Sequence, residues 1–298
     1  MTTKIQHYYP RGLLKHFAND NNDVYTYIIP ANKIRKMNFK KVCAHKYTYE
    51  SDDIVDNVLE GLLQEYESKA CSIIDKILKS LYSRSSPIIS SEDEELLYRY
   101  MYLQFLRTDA GRINFISLYE NLFTYVPRDR PFELRDINSY ESQRKIDKFN
   151  RIFKQDGVLK KYLNAQSPKN NFLNAQETMK YYLSGHKTKN MEFHIAISPI
   201  NLITSDNPVI VTDNWMQIMM PINPHFCIEF QNPLLSSTEN LFVKLSKEKA
   251  RNLNEATINT ANYYVISNEL IDIKLNFYLY NRFINKDWYF KEPHCKTQ

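Results

Sequence analysis

Apolar residues recur along this chain at two spacings, and the switches between them mark its elements. Val24–Ile29 (VYTYII) mixes β-branched and aromatic residues and stops at Pro30, which predicts a strand. Phe39–Tyr49 (FKKVCAHKYTY) alternates less cleanly and is expected to be a second strand paired with it or an irregular approach to one. After the capping signal Ser51–Asp53, the residues Ile54, Val58, Leu62, Tyr66, Ala70, Ile73, Ile74, Ile77 and Leu81 repeat at helical steps. Ser91 with Glu94 reads as a capping box, so a second helix is predicted from Glu92 to about Thr108. Further helices are predicted at about 113–125, 137–153 and 175–183.

Beyond residue 190 the period shortens. Phe193–Ile197, Val209–Thr212, Trp215–Pro221 and Phe226–Phe230 read as strands. Ser246 caps a helix that carries Ala250, Leu253, Ile258 and Ala261 on one face. Ile273–Phe283 fits a helix or a strand equally well. Strands and helices are therefore segregated, which predicts the α+β class. The expected architecture is an N-terminal β-hairpin, a central helical bundle, and C-terminal antiparallel strands packed with a helix. A single domain over 1–298 is expected, its helical half at about 51–185 and its strand-rich half at about 190–292 together with 1–50.

Composition narrows the function classes. The chain has 298 residues and 43% hydrophobic content, enough for a sizeable core that 22 Tyr and 16 Phe make aromatic. With 5 Gly and neither GxGxxG nor GxxxxGK[ST], dinucleotide and P-loop readings lose their support, and no cofactor is expected. The net charge of +5 permits a polyanionic partner without demanding one. Cysteines at 43, 71, 227 and 295 share no CxxC spacing, HExxH is absent, and the pair His186 and His194 has no carboxylate placed between, so no metal site is expected. No apolar run approaches a membrane span or a signal peptide, which points to a cytoplasmic protein with no membrane partner.

Several polar residues stand where solvent exposure alone does not account for them. His7 can move a proton near neutral pH, and Tyr8, Tyr9 and Arg11 beside it add donors for an anion. Glu60 and Glu67 are two helical turns apart on nearly one face. Gln104 and Arg107 sit one turn apart in an apolar stripe, where a buried guanidinium needs a carboxylate or a phosphate, and Arg112 follows the break. Asp206 and Asn207 lie in a turn beside a buried strand. Each of these also has a plain structural reading: an anchored terminus, a surface helix, an interhelical ion pair, ordinary turn chemistry.

Taken together the motifs resemble a large uncharacterised microbial family, DUF4238. His7–Phe17 (HYYPRGLLKHF) is similar to that family's opening HYxPxxxLxxF, and LEGLLQEYESKA to its paired-glutamate helix. Gln104–Thr108 followed by Arg112 resembles QxxRTPxxR, Thr204–Val209 resembles TSDNPV, Pro221–Pro224 resembles the PLSP turn, and Asn254 with Ala261 resembles the last helix. The likeness spans about Gln6 to Val265. Asp109 replaces the proline after Arg107–Thr108, and Gly12 stands where a bulkier residue is common. The resemblance supplies motif positions and no activity. It leads to the expectation that His7, Glu60, Glu67, Gln104, Arg107, Asp206 and Asn207 gather in one polar pocket. With His7, Glu67 and Arg107 catalytic and Tyr9, Arg11, Glu60, Gln104, Arg112, Asp206 and Asn207 binding substrate, such a pocket suits metal-independent cleavage of RNA, in a bacterial phage-defence setting. The alternatives are a module that binds a nucleotide or another anionic, phosphate-bearing small molecule without catalysis, and a buried network that only fixes helix packing.

Overall fold

A computed structural model describes residues 5–7, 9–46, 58–106, 108, 191–211, 216–235, 238, 240–261 and 263–283. The helices expected at 113–125, 137–153 and 175–183 lie outside the described residues. Those described form an α+β fold of helices and three sheets, with buried apolar residues in three clusters.

The N-terminal hairpin pairs β2 (Asp23–Ile28) with β3 (Lys33–Asn38). Its partner strand is thus Lys33–Asn38 and not Phe39–Tyr49. The reversal is made by a 3-10 turn at Ile29–Ala31, followed by Asn32 in the left-handed region (φ 48°). The Tyr27 hydroxyl donates to Asn32 Oδ1 at 2.6 Å and pins that turn. Residues 39–49 divide instead into a 3-10 turn at Phe39–Lys41 and a short strand, β4 (Ala44–Lys46), which pairs antiparallel with β1 (Ile5–His7). Between β1 and β2 the chain makes one helical turn, α1 (Arg11–Leu14).

The helix α2 (Val58–Tyr82) buries Leu63, Ala70, Ile73, Ile74, Ile77 and Leu78, one stripe at three- and four-residue steps. α3 (Ser91–Leu106) starts one residue earlier than expected. Its capping box is Ser90 with Asp93: Asp93 N–H donates to Ser90 Oγ at 3.1 Å, and Ser90 N–H donates to Asp93 Oδ2 at 3.2 Å. From Leu97 to Phe105 every α3 residue except Arg99 is buried, so this half of the helix is surrounded by protein.

A five-stranded sheet lies beneath these helices in the order β10-β5-β9-β8-β7: Phe242–Lys244, Glu192–Ile197, Phe226–Gln231, Gln217–Pro221 and Ile210–Val211. It is antiparallel except for β10, which joins β5 in parallel. Strand alternation sends Phe193, Ile195, Ile218, Met220, Ile228 and Phe230 to the face that meets α2 and α3. Phe230 stacks edge-on against Tyr98 with ring centroids 5.2 Å apart, and burying such a ring contributes about 1.5–3 kcal/mol. The opposite face carries Ala196, Met219 and Cys227 against α4 (Lys247–Thr260), whose cap is Ser246 as predicted.

The hairpin is extended into a four-stranded antiparallel sheet, β3-β2-β11-β6, by β11 (Tyr264–Ser267) and β6 (Thr204–Ser205). Ile273–Phe283 is a helix, α5. Asp272 decides the ambiguity by capping it, accepting from the Leu275 N–H at 2.9 Å. Tyr278 and Leu279 of α5 pack with Tyr27, Ile203 and Val265 on one side of this sheet.

Candidate functional site

The opening segment is held at three points. Tyr9 is fully buried, and Thr204 Oγ1 donates to its hydroxyl at 3.3 Å, joining positions 195 residues apart. Burial lifts the Tyr9 phenol well above its ordinary value, and the nearby thiols of Cys43 and Cys71 add to the rise. Gly12 packs against α2 so closely that a Cβ there would lie 2.8 Å from Cys71 Sγ, which explains a glycine where a bulkier residue is usual. His7, half-buried at the end of β1, has Nε2 3.2 Å from the Lys40 carbonyl oxygen. Donation from Nε2 makes Nδ1 the basic nitrogen of the neutral ring. Arg11 is exposed on α1. Glu67 is half-buried on α2, one turn before Cys71 and so on the helix face that meets Gly12.

The TSDNPV segment is buried and bonded to backbone. Asp206 accepts the N–H of Tyr263 through Oδ2 (3.0 Å) and that of Tyr264 through Oδ1 (3.2 Å). Asn207 Nδ2 donates to the Thr260 carbonyl, and Ser205 Oγ accepts the Asn207 N–H at 3.1 Å. These bonds tie β6 to the end of α4 and the start of β11. Asn254 works similarly, accepting the Ile203 N–H at 3.0 Å and donating to the Asn201 carbonyl at 2.9 Å. Asn223, in the PINP turn, accepts from the N–H groups of His225 (2.8 Å) and Phe226 (2.7 Å) and donates to the Tyr82 hydroxyl at 2.9 Å. The asparagines and aspartate of the motifs thus satisfy backbone groups that burial would otherwise strand.

Gln104 is fully buried, and the Tyr100 hydroxyl donates to its Oε1 at 3.3 Å. Thr108 closes the helix by donating to the Phe105 carbonyl at 2.7 Å. Arg107 and Arg112 lie outside the described residues, as does the side chain of Glu60. The structure therefore brings the first motif to the fourth through Tyr9 and Thr204, and sets the Glu67 face of α2 beside the first motif.

A second polar cluster escaped sequence reasoning. Glu229, 1% exposed in the centre of the five-stranded sheet, accepts from Gln217 Nε2 and from Lys249 Nζ at 2.9 Å. Gln217 also donates to Gln231 Oε1 at 3.3 Å. Across the sheet from Glu229 stands His194, whose Nδ1 lies 2.9 Å from the Asn240 carbonyl oxygen. His194 Nε2 is buried with no hydrogen-bond partner among the described residues, 3.7 Å from Glu192 Oε2. Burial and the Glu229 carboxylate push the neighbouring Cys227 thiol well up. The sequence signal was a glutamate inside the apolar run FCIEF. Among the described residues no group of three or more His, Cys, Asp or Glu is placed to hold a metal ion, and no helix is long and apolar enough to cross a membrane.

No curated protein and no solved structure matches the chain. The family model described as "Protein of unknown function (DUF4238)" matches residues 5–269, nearly the whole of the strands and helices above. A match over that span places the chain in the DUF4238 family.

Proposed function

We propose that this chain is a nuclease-like enzyme that cleaves RNA by side-chain acid–base chemistry. The observation that carries the reading is His7, whose Nε2 is directed at the Lys40 carbonyl so that Nδ1 is the basic atom. In this reading His7 takes the proton of a ribose 2′-hydroxyl as that oxygen attacks phosphorus. The P–O5′ bond breaks, and the departing oxygen takes a proton from solvent or from Glu67. Arg107 stabilises the charge on the pentacovalent phosphorus. RNA cleavage by the purified protein in the presence of chelator is the test, run beside His7→Ala and Arg107→Ala. Cleavage by the parent and loss in both variants is expected; equal or absent cleavage in all three ends the reading. The setting we assign is phage defence, which predicts that cells expressing the protein resist infection and that His7→Ala removes the resistance.

A binding module for a nucleotide-like anion is the second reading. In it Asp206 and Asn207, whose side chains bond to backbone, fix the fold around the site and move no protons. A nucleotide that raises the melting temperature of the parent but not of Arg107→Ala, with no turnover, would select it.

A further inference from the structure

Charge is distributed unevenly along this chain. Residues 5–46 hold six lysines and two arginines against two aspartates, a net of +6, whereas the whole chain nets only +5. The remainder is therefore close to neutral. In the fold, this excess collects at one edge. β3 is the outer strand of the four-stranded sheet, and its Lys33, Arg35 and Lys36 are exposed. Lys40 and Lys41 follow in the 3-10 turn, also exposed, and α1 packs against that turn with the exposed Arg11. Of these six cations, Lys36 alone has an ion-pair partner among the described residues, Asp23 at 3.5 Å. The rim ends at His7, whose ring bonds the carbonyl of Lys40.

Lysines on an edge strand have a plain use: they block unwanted strand pairing. That accounts for Lys33, Arg35 and Lys36. It does not account for Lys40, Lys41 and Arg11, which lie off the strand. The same charges that deter a β-strand partner make the edge attractive to a phosphate chain, which needs cations in a row and no backbone pairing. β3 rises about 3.3 Å per residue, so Lys33 to Asn38 is a track of roughly 17 Å pointing toward the turn at His7.

We infer that this rim, Lys33, Arg35, Lys36, Lys40, Lys41 and Arg11, is the docking surface for the phosphate backbone of single-stranded RNA, and that it delivers the strand to His7. The inference rests on the RNA reading proposed above. Its test separates docking from cleavage by working in a His7→Ala background. A fluorescein-labelled single-stranded RNA is titrated and its anisotropy followed across salt concentrations. Each lost phosphate contact lowers the slope of log affinity against log salt by about 0.7. The variant Lys33→Gln/Arg35→Gln/Lys40→Gln/Lys41→Gln should therefore lose about 3 units of slope and at least tenfold in affinity at low salt. Its substitutions are all at exposed positions, and circular dichroism is the check that it is folded. A control variant removes four exposed lysines elsewhere, Lys76→Gln/Lys79→Gln/Lys244→Gln/Lys247→Gln, and should bind as the parent does. Equal slopes in the two variants overturn the inference and leave the cleavage reading standing. Binding through the rim by a parent protein that cleaves nothing supports the inference and removes the cleavage reading. Absence of RNA binding, or capture of anionic lipid vesicles in place of RNA, overturns the inference.

Discussion

Replacing Asp206 distinguishes a clamp from a substrate contact. Its carboxylate is 2% exposed and takes two backbone N–H groups, at 3.0 and 3.2 Å, where the chain passes from α4 into β11. Asp206→Ala strands both donors in the interior. A hydrogen bond to a charged acceptor is worth about 1.5–3 kcal/mol net, so the loss should be roughly 4 kcal/mol. Asp206→Asn keeps the shape and one carbonyl oxygen, but turns an amide N–H toward the other donor, so about half that loss is expected. Urea unfolding followed by circular dichroism is the assay. With an m-value near 3 kcal/mol/M, the alanine variant should unfold about 1.3 M earlier and the asparagine variant about 0.7 M earlier. Below its midpoint, the alanine variant should keep its RNA affinity per folded molecule. The reasoning fails if alanine costs less than about 1 kcal/mol, or if a folded alanine variant loses binding outright.

The other predictions rest on separate contacts. Gly12→Ala places a methyl 2.8 Å from Cys71 Sγ and should cost about 1–3 kcal/mol in thermal melts; adding Cys71→Ala should recover most of it, and an unrecovered loss would place the strain elsewhere. Burial holds the His16 imidazole below its ordinary value despite Asp75 at 2.8 Å. The folded state therefore prefers the neutral ring, so stability tied to His16 is present above pH about 6.5 and is lost as pH falls through the lowered folded value. His16→Gln should flatten the slope of urea midpoint against pH in the window just below 6.5, and parallel slopes would contradict the account. Lys249→Met leaves the carboxylate of Glu229 buried without its cation. A broken buried pair costs about 3–5 kcal/mol, but Lys249 is 35% exposed, so about 2 kcal/mol is expected, with recovery on adding Glu229→Gln.

What the sequence revealed and what it hid follow from the range of the forces involved. The starts of α3 and α4 were legible to within a residue, because a cap is a local bond: Ser246 was read correctly, and the box at Ser90 was missed by one position. The strand VYTYII was legible because it is buried and its neighbours are not. Its partner KIRKMN was invisible, since an edge strand keeps only Ile34, Met37 and Asn38 partly buried and shows charge elsewhere. β11 was not picked out as a strand, because three apolar residues carry no distinguishing period; Ala261, in extended backbone, is where α4 stops. At the candidate site, the special standing of Asp206, Asn207 and Asn254 could be seen but not their task. A carboxylate or amide offers the same atoms to a backbone N–H as to a substrate, and only the fold says which is near. The Glu229 cluster needed the cross-strand register, which no local pattern contains.

The two groups of motif residues differ in a way that bears on where chemistry can occur. Asp206, Asn207, Asn223 and Asn254 are all buried and bond backbone, Asn223 in the turn between β8 and β9 and the others where helix and sheet segments meet. A buried polar group without such bonds would cost free energy, so these residues are held by folding itself, whatever the protein does. Around His7 the polar groups include exposed cations, and burial does not explain the accumulation there of charge exceeding that of the whole chain. Unshielded like charges repel one another and gain nothing in the folded protein alone. In the reading proposed above, they become favourable when a polyanion arrives. Removing clamp residues should therefore reduce function in proportion to unfolding, whereas removing rim cations should leave stability unchanged or raise it while binding falls. A rim variant that melts well below the parent would show that those charges serve the fold.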